Sequence, residues 1–453
     1  VPNGPVPANQ RSHWGSRLGF VFAAAGSAVG LGNIWKFPYI TGEYGGGAFV
    51  LVYLVCIAVV GLPLMYAELI IGRRGGKDAY GAMRDLIAHR GPAARAAAVV
   101  AGTLSILGGF LILSFYSVVA GWAIHYLVVA VKAIPADPAG TEATFNSLLA
   151  NGWLSTLWHT VFMGLTIFVV SRGVHEGIER ACSLLMPALA GILVVLLVYV
   201  GITGGLDRSI SFLFRPDFSK LSGDAILEAL GHAFFTLSLG MGAMITYGSY
   251  LERDEHVVRD GVAVAVVDTV IALLAGLVIF AVVFDAGAEP GAGPGLVFVT
   301  LPALFEAMPG GMFVGIAFFF LLIVAALSSA ISLLEVVVAY FVDEKGMSRG
   351  RATLGFGFLI WALGVACAFS AGGGVLSFLD DVTTRYTLPI GGLIIAIIAG
   401  WLIRPVDREA GFGDMGALGA LAANGWLFVI RFLTPVAVLL VILNKMGLVR
   451  FGG

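Results

Sequence analysis

GSAVGLGNIWKFP, residues 26–38, decides how the chain is read. It lies inside an apolar run, 16–40, yet carries Gly30-Leu31-Gly32 near the middle, and each glycine costs about 1 kcal/mol in a helix interior. A second run, 225–250, has the same feature in FFTLSLGMGAM, residues 234–244, where Met241 stands between Gly240 and Gly242. Glycines so closely spaced predict an unwound segment in each run. Backbone freed at membrane depth is tolerated only where it is buried in protein or lines a cavity. The glycines also have a plainer use, with Gly26 and Gly30 letting two helices approach closely. Matched breaks in two runs favour the unwound form.

The rest of the chain places these runs in a bilayer. Of 453 residues, 59% are hydrophobic and only 12% charged, and the mean hydropathy is +0.96. A soluble domain carries about 25% charged residues. Stretches of about 20 apolar residues span a bilayer as helices. Eleven such stretches are present: 16–40, 46–71, 97–131, 153–171, 180–203, 225–250, 260–285, 311–342, 351–370, 376–403 and 424–448. They run apolar throughout instead of alternating, which excludes a β-barrel. An all-α membrane protein follows. The net charge of −2 gives no reason to expect a nucleic-acid partner. Cys56, Cys182 and Cys367 match no metal-site spacing and read as small apolar residues. Residues 1–15 read as a polar cytoplasmic segment, and the first apolar run is too long and too glycine-broken for a leader. Most Lys and Arg residues fall in segments on the N-terminal side, which puts the N-terminus in the cytosol and the chain in the inner (plasma) membrane. The polar segments 132–152, 204–224 and 286–310, with Pro135, Pro138, Pro216, Pro290 and Pro294, are predicted to be ordered loops and not helices.

If the broken runs hold corresponding positions, the chain divides into a five-helix repeat over 16–203, an inverted five-helix repeat over 225–403 and an eleventh helix over 424–448. Paired glycine-broken spans of this kind point to a transporter site. Charges within spans are costly and mark candidates for function: Glu68, Asp268, Glu335 and Arg431. Each carboxylate could instead cap backbone or pair with Lys or Arg, and Arg431 could snorkel. His232 is isolated and reads as a hydrogen-bonded packing residue. Ser328, Ser329 and Ser332 form a hydroxyl cluster in the eighth span, suited to a hard cation, although most membrane serines bond to their own helix. No phosphate-binding loop, HExxH or nucleophile elbow occurs, so no enzyme is expected.

WGSRLGFVFAAAGSAVGLGNIWKFPYITGEYGGGAFV (14–50) resembles the first-helix signature of the neurotransmitter:sodium symporters, the family with the LeuT fold. GLPLMYAELIIGRR (61–74), FFTLSLGMGAMITYGSY (234–250) and AALSSAIS (325–332) are similar to its second, sixth and eighth helices. The resemblance implies two Na⁺ ions. One is held by the Ala28 carbonyl, Asn33, Thr236 and Asp268. The other is held by the carbonyls of Gly26, Val29 and Ala325 with the hydroxyls of Ser328 and Ser329. It further implies an amino-acid substrate. The substrate carboxylate meets the amides near Leu31 and Gly32 and the Tyr116 hydroxyl, and its ammonium meets the carbonyls of Ala28, Phe235 and Thr236 and the Ser238 hydroxyl. The side-chain pocket implied is Ile112, Tyr116, Phe235, Ser238, Met241, Ser329 and Leu333. Glu68 pins the unwound backbone, Phe235 and Tyr116 form an outer lid, and Arg11 pairs with Asp343 as a cytoplasmic gate steadied by Trp14 and Tyr250. Three positions depart from the family pattern: Asp268 replaces an Asn and serves as a chloride substitute, His232 replaces a Gln, and Lys36 replaces the outer-gate Arg. The register of its acidic partner falls on Thr383, so Asp380 or Asp381 is expected to substitute. The sequence expectation is a chloride-independent sodium symporter of a large hydrophobic or aromatic amino acid, tryptophan favoured, working by alternating access. Small aliphatic amino acids are the alternative substrates, and a channel is the alternative from another class.

Overall fold

The structure is a computed structural model that describes residues 12–132, 138–252, 256–291, 293–371, 373–409, 411–412 and 416–449. All eleven apolar stretches are helical in it, because a helix satisfies every backbone N–H and C=O within one segment where water is absent. Among the described residues nine are helices long and apolar enough to cross a membrane, from Gly47–Gly75 (span 2) to Gly419–Lys445 (span 11). Span 1 is a bent pair, Arg17–Ala28 and Gly32–Glu43, with 50° between its halves. Span 6 is also divided, into Gly223–Thr236 and Ala243–Gly248.

The break in span 1 begins at Val29, whose backbone is extended (φ −71°, ψ 113°), and helix resumes through one wide turn, Gly32–Lys36. The break in span 6 is more severe. Ser238 has φ +54°, the one non-glycine residue with positive φ among those described, and Gly240 and Gly242 have φ of +79° and +74°. Glycine is required at 240 for a second reason: a Cβ there would lie 2.3 Å from the Leu388 carbonyl oxygen of span 10. An L-residue held in the left-handed region costs about 1–3 kcal/mol and persists only where its surroundings hold it. Glu68 of span 2 supplies part of that hold, its Oε1 accepting the Gly240 N–H at 2.7 Å.

Spans 8 (Gly311–Asp343), 2 and 7 (Val257–Asp285) form the inner layer, with 72%, 61% and 61% of their apolar windows buried. Span 5 (Val174–Thr203) buries only 28% and faces lipid. The three polar segments predicted as loops each contain a helix: Pro138–Ala150, Leu206–Phe214 and Thr300–Ala307. The prolines do not prevent this. Pro138 opens its helix, where a missing N–H costs nothing, and Pro216 lies beyond the end of its own. A further short helix, Ala79–Leu86, joins spans 2 and 3, capped by Asp78.

Candidate functional site

The two breaks meet. The Ser238 hydroxyl donates to the Ser27 carbonyl at 2.8 Å, tying span 6 to span 1. From span 3 (Pro92–Lys132) the Tyr116 hydroxyl accepts the Leu31 N–H at 3.2 Å. That approach needs glycine at 30, where a Cβ would lie 2.5 Å from Ser329 Oγ and 2.7 Å from the Tyr116 oxygen. Between the breaks lies a narrow cavity. Ile112, Tyr116, Phe235, Ser238, Met241, Ser329 and Leu333 all line it, together with Ala28, Leu31 and Gly32. No Asp, Glu, Lys or Arg contributes to its walls. Helix ends converge on it: carbonyl ends of 17–28 and 223–236, and amide ends of 32–43 and 243–248. Such ends carry partial negative and positive charge respectively, a match for the ammonium and carboxylate of a zwitterion.

A fully buried polar cluster adjoins the break in span 1. Asn33 Nδ2 donates to Asp268 Oδ1 at 2.7 Å and to the Asp268 carbonyl at 3.2 Å, while its Oδ1 accepts the Gly30 N–H at 3.0 Å. Thr236 Oγ1 donates to both Asp268 oxygens, at 3.1 and 3.2 Å. Among the described residues no Lys, Arg or His comes within ion-pair distance of Asp268. A buried carboxylate without a cation is costly, so this donor set fits a bound cation well.

The second cluster is neutral. Ser329 Oγ lies 3.4, 2.9 and 3.2 Å from the carbonyl oxygens of Gly26, Ser27 and Val29. Ser328 Oγ lies 3.0 Å from the Ala325 carbonyl and 3.5 Å from that of Val29. Oxygens of this kind suit a hard monovalent cation. No group of three or more His, Cys, Asp or Glu able to hold a metal exists among the described residues. Ser27, which the sequence did not single out, also joins this cluster, donating to Ser332 Oγ at 2.7 Å. Its signal was a hydroxyl between Gly26 and Ala28, too common in membrane helices to stand out.

On the N-terminal side, Arg11 lies outside the described residues, so its expected pair with Asp343 is not described. Asp343 Oδ2 accepts the Asp78 N–H at 2.8 Å. Trp14 Nε1 donates to the Tyr247 carbonyl at 3.0 Å, and its ring meets Tyr250 edge-on with centroids 5.9 Å apart. Tyr250 donates to Glu335 Oε1 at 2.6 Å, and Glu335 is ion-paired with Arg349. Of the two alternatives left open for Glu335, the structure therefore selects pairing. Two further ties were missed. Glu179 of span 5 accepts the Gly15 N–H at 2.7 Å and the Ser16 hydroxyl at 3.0 Å, and Arg17 pairs with Asp260 at 2.6 Å.

On the opposite side the structure differs from the expectation for Lys36. Its ammonium lies 3.5 Å from Glu228 of span 6 and 5.4 Å from the Phe235 ring centroid, and Glu228 also pairs with Lys445 of span 11 at 2.5 Å. Among the described residues Asp380 forms no ion pair within 4.0 Å, and Asp381 pairs with Arg385 one turn on. Glu228 takes Lys36 because it is held beside it by the packing of spans 1 and 6, whereas Asp380 is exposed. Lys36, Glu228 and Lys445 border a second cavity between spans 1, 6, 10 (Val375–Leu402) and 11. Phe235 lines both cavities and forms the partition between them. His232, expected to be hydrogen-bonded, instead packs its ring against Phe37 and Tyr53, centroids 5.9 and 5.4 Å away, with neither nitrogen bonded to a described residue.

The profile of the Sodium:neurotransmitter symporter family matches residues 11–147 and 144–450. The chain belongs to this family. It is 37% identical over 455 residues to an uncharacterized sodium-dependent transporter, YhdH, of Bacillus subtilis (strain 168), covering 97% of this chain and 98% of that one. A relative described in the same terms, from Haemophilus influenzae, is 31% identical over 453 residues, covering 96% and 98%. Among solved structures, that of MhsT in complex with L-phenylalanine superposes with a TM-score of 0.85 at 43% identity, covering 96% of this chain and all of the other. The symporter is thus a multi-pass, all-α membrane protein of the LeuT fold, and its transport is sodium-dependent.

Proposed function

We propose that this symporter imports a large apolar amino acid, tryptophan foremost, together with sodium at two sites and without need of chloride. The observation that carries the substrate assignment is the cavity itself. Its side-chain end is apolar and aromatic, with Ile112, Phe235, Met241 and Leu333, and no charge compensates an ionised side chain there. Burying an unpaired charge costs several kcal/mol, so acidic and basic amino acids are rejected. Met241 is flexible and polarizable and accommodates aromatic rings. The solved relative with phenylalanine bound supports the same class.

The zwitterion is held by backbone. Its carboxylate takes the amides of Leu31 and Gly32 and the Tyr116 hydroxyl. Its ammonium takes the carbonyls of Ala28, Phe235 and Thr236 and the Ser238 hydroxyl. One sodium takes the Ala28 carbonyl, Asn33 and Thr236 beside Asp268, whose fixed charge stands in for chloride. The other takes Gly26, Val29, Ala325, Ser328 and Ser329. The repeats are 16–203 and 225–403, the N-terminus is cytoplasmic in the plasma membrane, and access alternates as Phe235 and the Trp14 cluster open in turn. Competition by all twenty amino acids against labelled tryptophan, in proteoliposomes with an inward sodium gradient, tests the assignment. Phenylalanine, leucine and tryptophan should compete, and glycine, glutamate and lysine should not. Sodium-driven uptake of glycine without competition by tryptophan would overturn it.

A further inference from the structure

Span 10 ends in a wide helical turn, Ile398–Leu402, on the side of the N-terminal segment by count of crossings. Its last carbonyls have no helical donors of their own. Three arginines from three different segments supply them. Arg431 of span 11 donates through Nε to the Gly400 carbonyl at 2.7 Å. Arg408 donates through Nη1 to the same oxygen at 2.8 Å. Arg90, between spans 2 and 3, donates through Nε to the Leu402 carbonyl at 2.9 Å and through Nη2 to that of Trp401 at 3.4 Å. The Arg431 guanidinium also lies over the Trp401 ring, 4.8 Å from its centroid.

These positive charges are answered by one nearby carboxylate, the exposed Glu409. Among the described residues no carboxylate comes within 4.0 Å of any of the three. Asp407, the nearest in sequence, is held by Arg74 at 2.5 Å, and Glu409 is exposed and forms no ion pair. At Arg408 the guanidinium is held below its ordinary basicity first by burial and then by the charge of Arg431, with Glu409 opposing and Arg90 adding to the effect. A guanidinium has five N–H donors. Arg408 and Arg431 each give one to the protein, leaving the rest for a ligand. Below the cluster the surface turns apolar: Trp401 and Phe432 meet edge-on at 5.7 Å, Phe428 lies tilted against Phe432 at 5.5 Å, and all three residues are exposed.

A fixed fork of guanidinium donors above an exposed aromatic strip is complementary to a phosphate that carries acyl chains. We propose that Arg90, Arg408 and Arg431 form a binding site for the headgroup phosphate of an anionic glycerophospholipid in the leaflet on the N-terminal side, with the chains lying along Trp401, Phe428 and Phe432. The plainer role of these arginines, capping span 10, needs no lipid and predicts no dependence on one.

The test is thermal unfolding of the purified protein in detergent as phosphatidylglycerol or phosphatidylcholine is titrated in. Phosphatidylglycerol should raise the midpoint, and phosphatidylcholine or inorganic phosphate at the same concentration should not. R408Q/R431Q should lose most of the rise, and R404Q, an exposed arginine outside the cluster, should keep it. If the double variant does not fold, R90Q is measured in its place, and its apparent phosphatidylglycerol affinity should fall at least threefold. An equal rise with phosphatidylcholine or with free phosphate overturns the proposal, as does an unchanged phosphatidylglycerol response in whichever of these variants is measured.

Discussion

Asp268→Asn removes one charge from the first proposed sodium site with little change of shape, since an Asn oxygen can still accept from Asn33 and Thr236. Those two residues approach the carboxylate at 2.7 Å and at 3.1 and 3.2 Å. A sodium bound through their own oxygens then lies about 5 Å from the carboxylate. At an effective dielectric of about 20 the interaction is roughly 3 kcal/mol, which is on the order of a hundredfold in sodium affinity. No described basic residue is close enough to replace it, so the loss should appear almost in full. The assay is tryptophan binding to the purified protein as sodium is titrated with gluconate as the anion. The half-saturating sodium concentration should rise by about two orders of magnitude in the variant. Asp268→Ser, which also leaves space, should recover part of the loss when chloride replaces gluconate, and the unmutated protein should be indifferent to the exchange. A large loss of transport by the unmutated protein in gluconate, or an Asp268→Asn variant with unchanged sodium affinity, would refute the assignment of this carboxylate as the chloride substitute.

Replacing Ser328 and Ser329 together by Ala removes two of the five oxygens of the second site and should abolish sodium-dependent substrate binding, read by scintillation proximity; retained sodium dependence would eliminate that site. Glu228→Gln should weaken substrate affinity by about fivefold, the equivalent of about 1 kcal/mol for a half-buried ion pair, because it frees Lys36 from its place over Phe235. Asp380→Asn should change affinity less than twofold, and the reverse order would return the gate to span 10. Asp78 lies outside the spans, and its carboxyl is raised from an ordinary 3.8 to about 7, first by burial and then by the charge of Asp343. A raised acid binds its proton in the folded state, so its stabilising contribution is present below about pH 4 and lost as pH rises through 7. Asp78→Asn should therefore flatten the fall in melting temperature between pH 5 and 8, and an identical slope in both proteins would speak against this origin.

The fold was legible because the bilayer permits so few solutions. Eleven apolar runs must be helices, and matched glycines at 30 and 32 and at 240 and 242 favour a break in two of them over close packing alone. The cavity was legible only through the family resemblance, which implied Tyr116, Phe235, Met241 and Leu333, and these residues line it. What stayed hidden depends on helix rotation and on contacts across helices. Glu228 sits eight residues before Thr236 on the same span and resembles a solvated end of a helix, and only the rotation of spans 1 and 11 gives it two lysines. Arg431 reads as a snorkelling cation, yet its partner is a carbonyl in span 10. Glu179 looks like an ordinary interfacial carboxylate until the start of span 1 is brought beside it.

Ser329 shows how the breaks would serve ion and substrate together. Its hydroxyl touches the Gly26, Ser27 and Val29 carbonyls of the second cluster, and the same side chain lines the cavity next to Tyr116. A cation among those carbonyls would displace the hydroxyl's proton from them and turn it toward the cavity wall. Ser238 repeats the arrangement across the other break, donating to the Ser27 carbonyl while facing the cavity. Occupancy of the proposed ion cluster would therefore change the hydrogen bonding of two cavity residues without any large movement. A ligand shifts an equilibrium only as far as its affinities for the two states differ, and these two hydroxyls supply such a difference. The same reasoning requires reciprocity: substrate must tighten sodium by the factor with which sodium tightens substrate. Ser238→Ala keeps every oxygen of the ion cluster, so sodium should still bind without substrate, but the shared factor should fall, read as a smaller shift in tryptophan affinity on adding sodium.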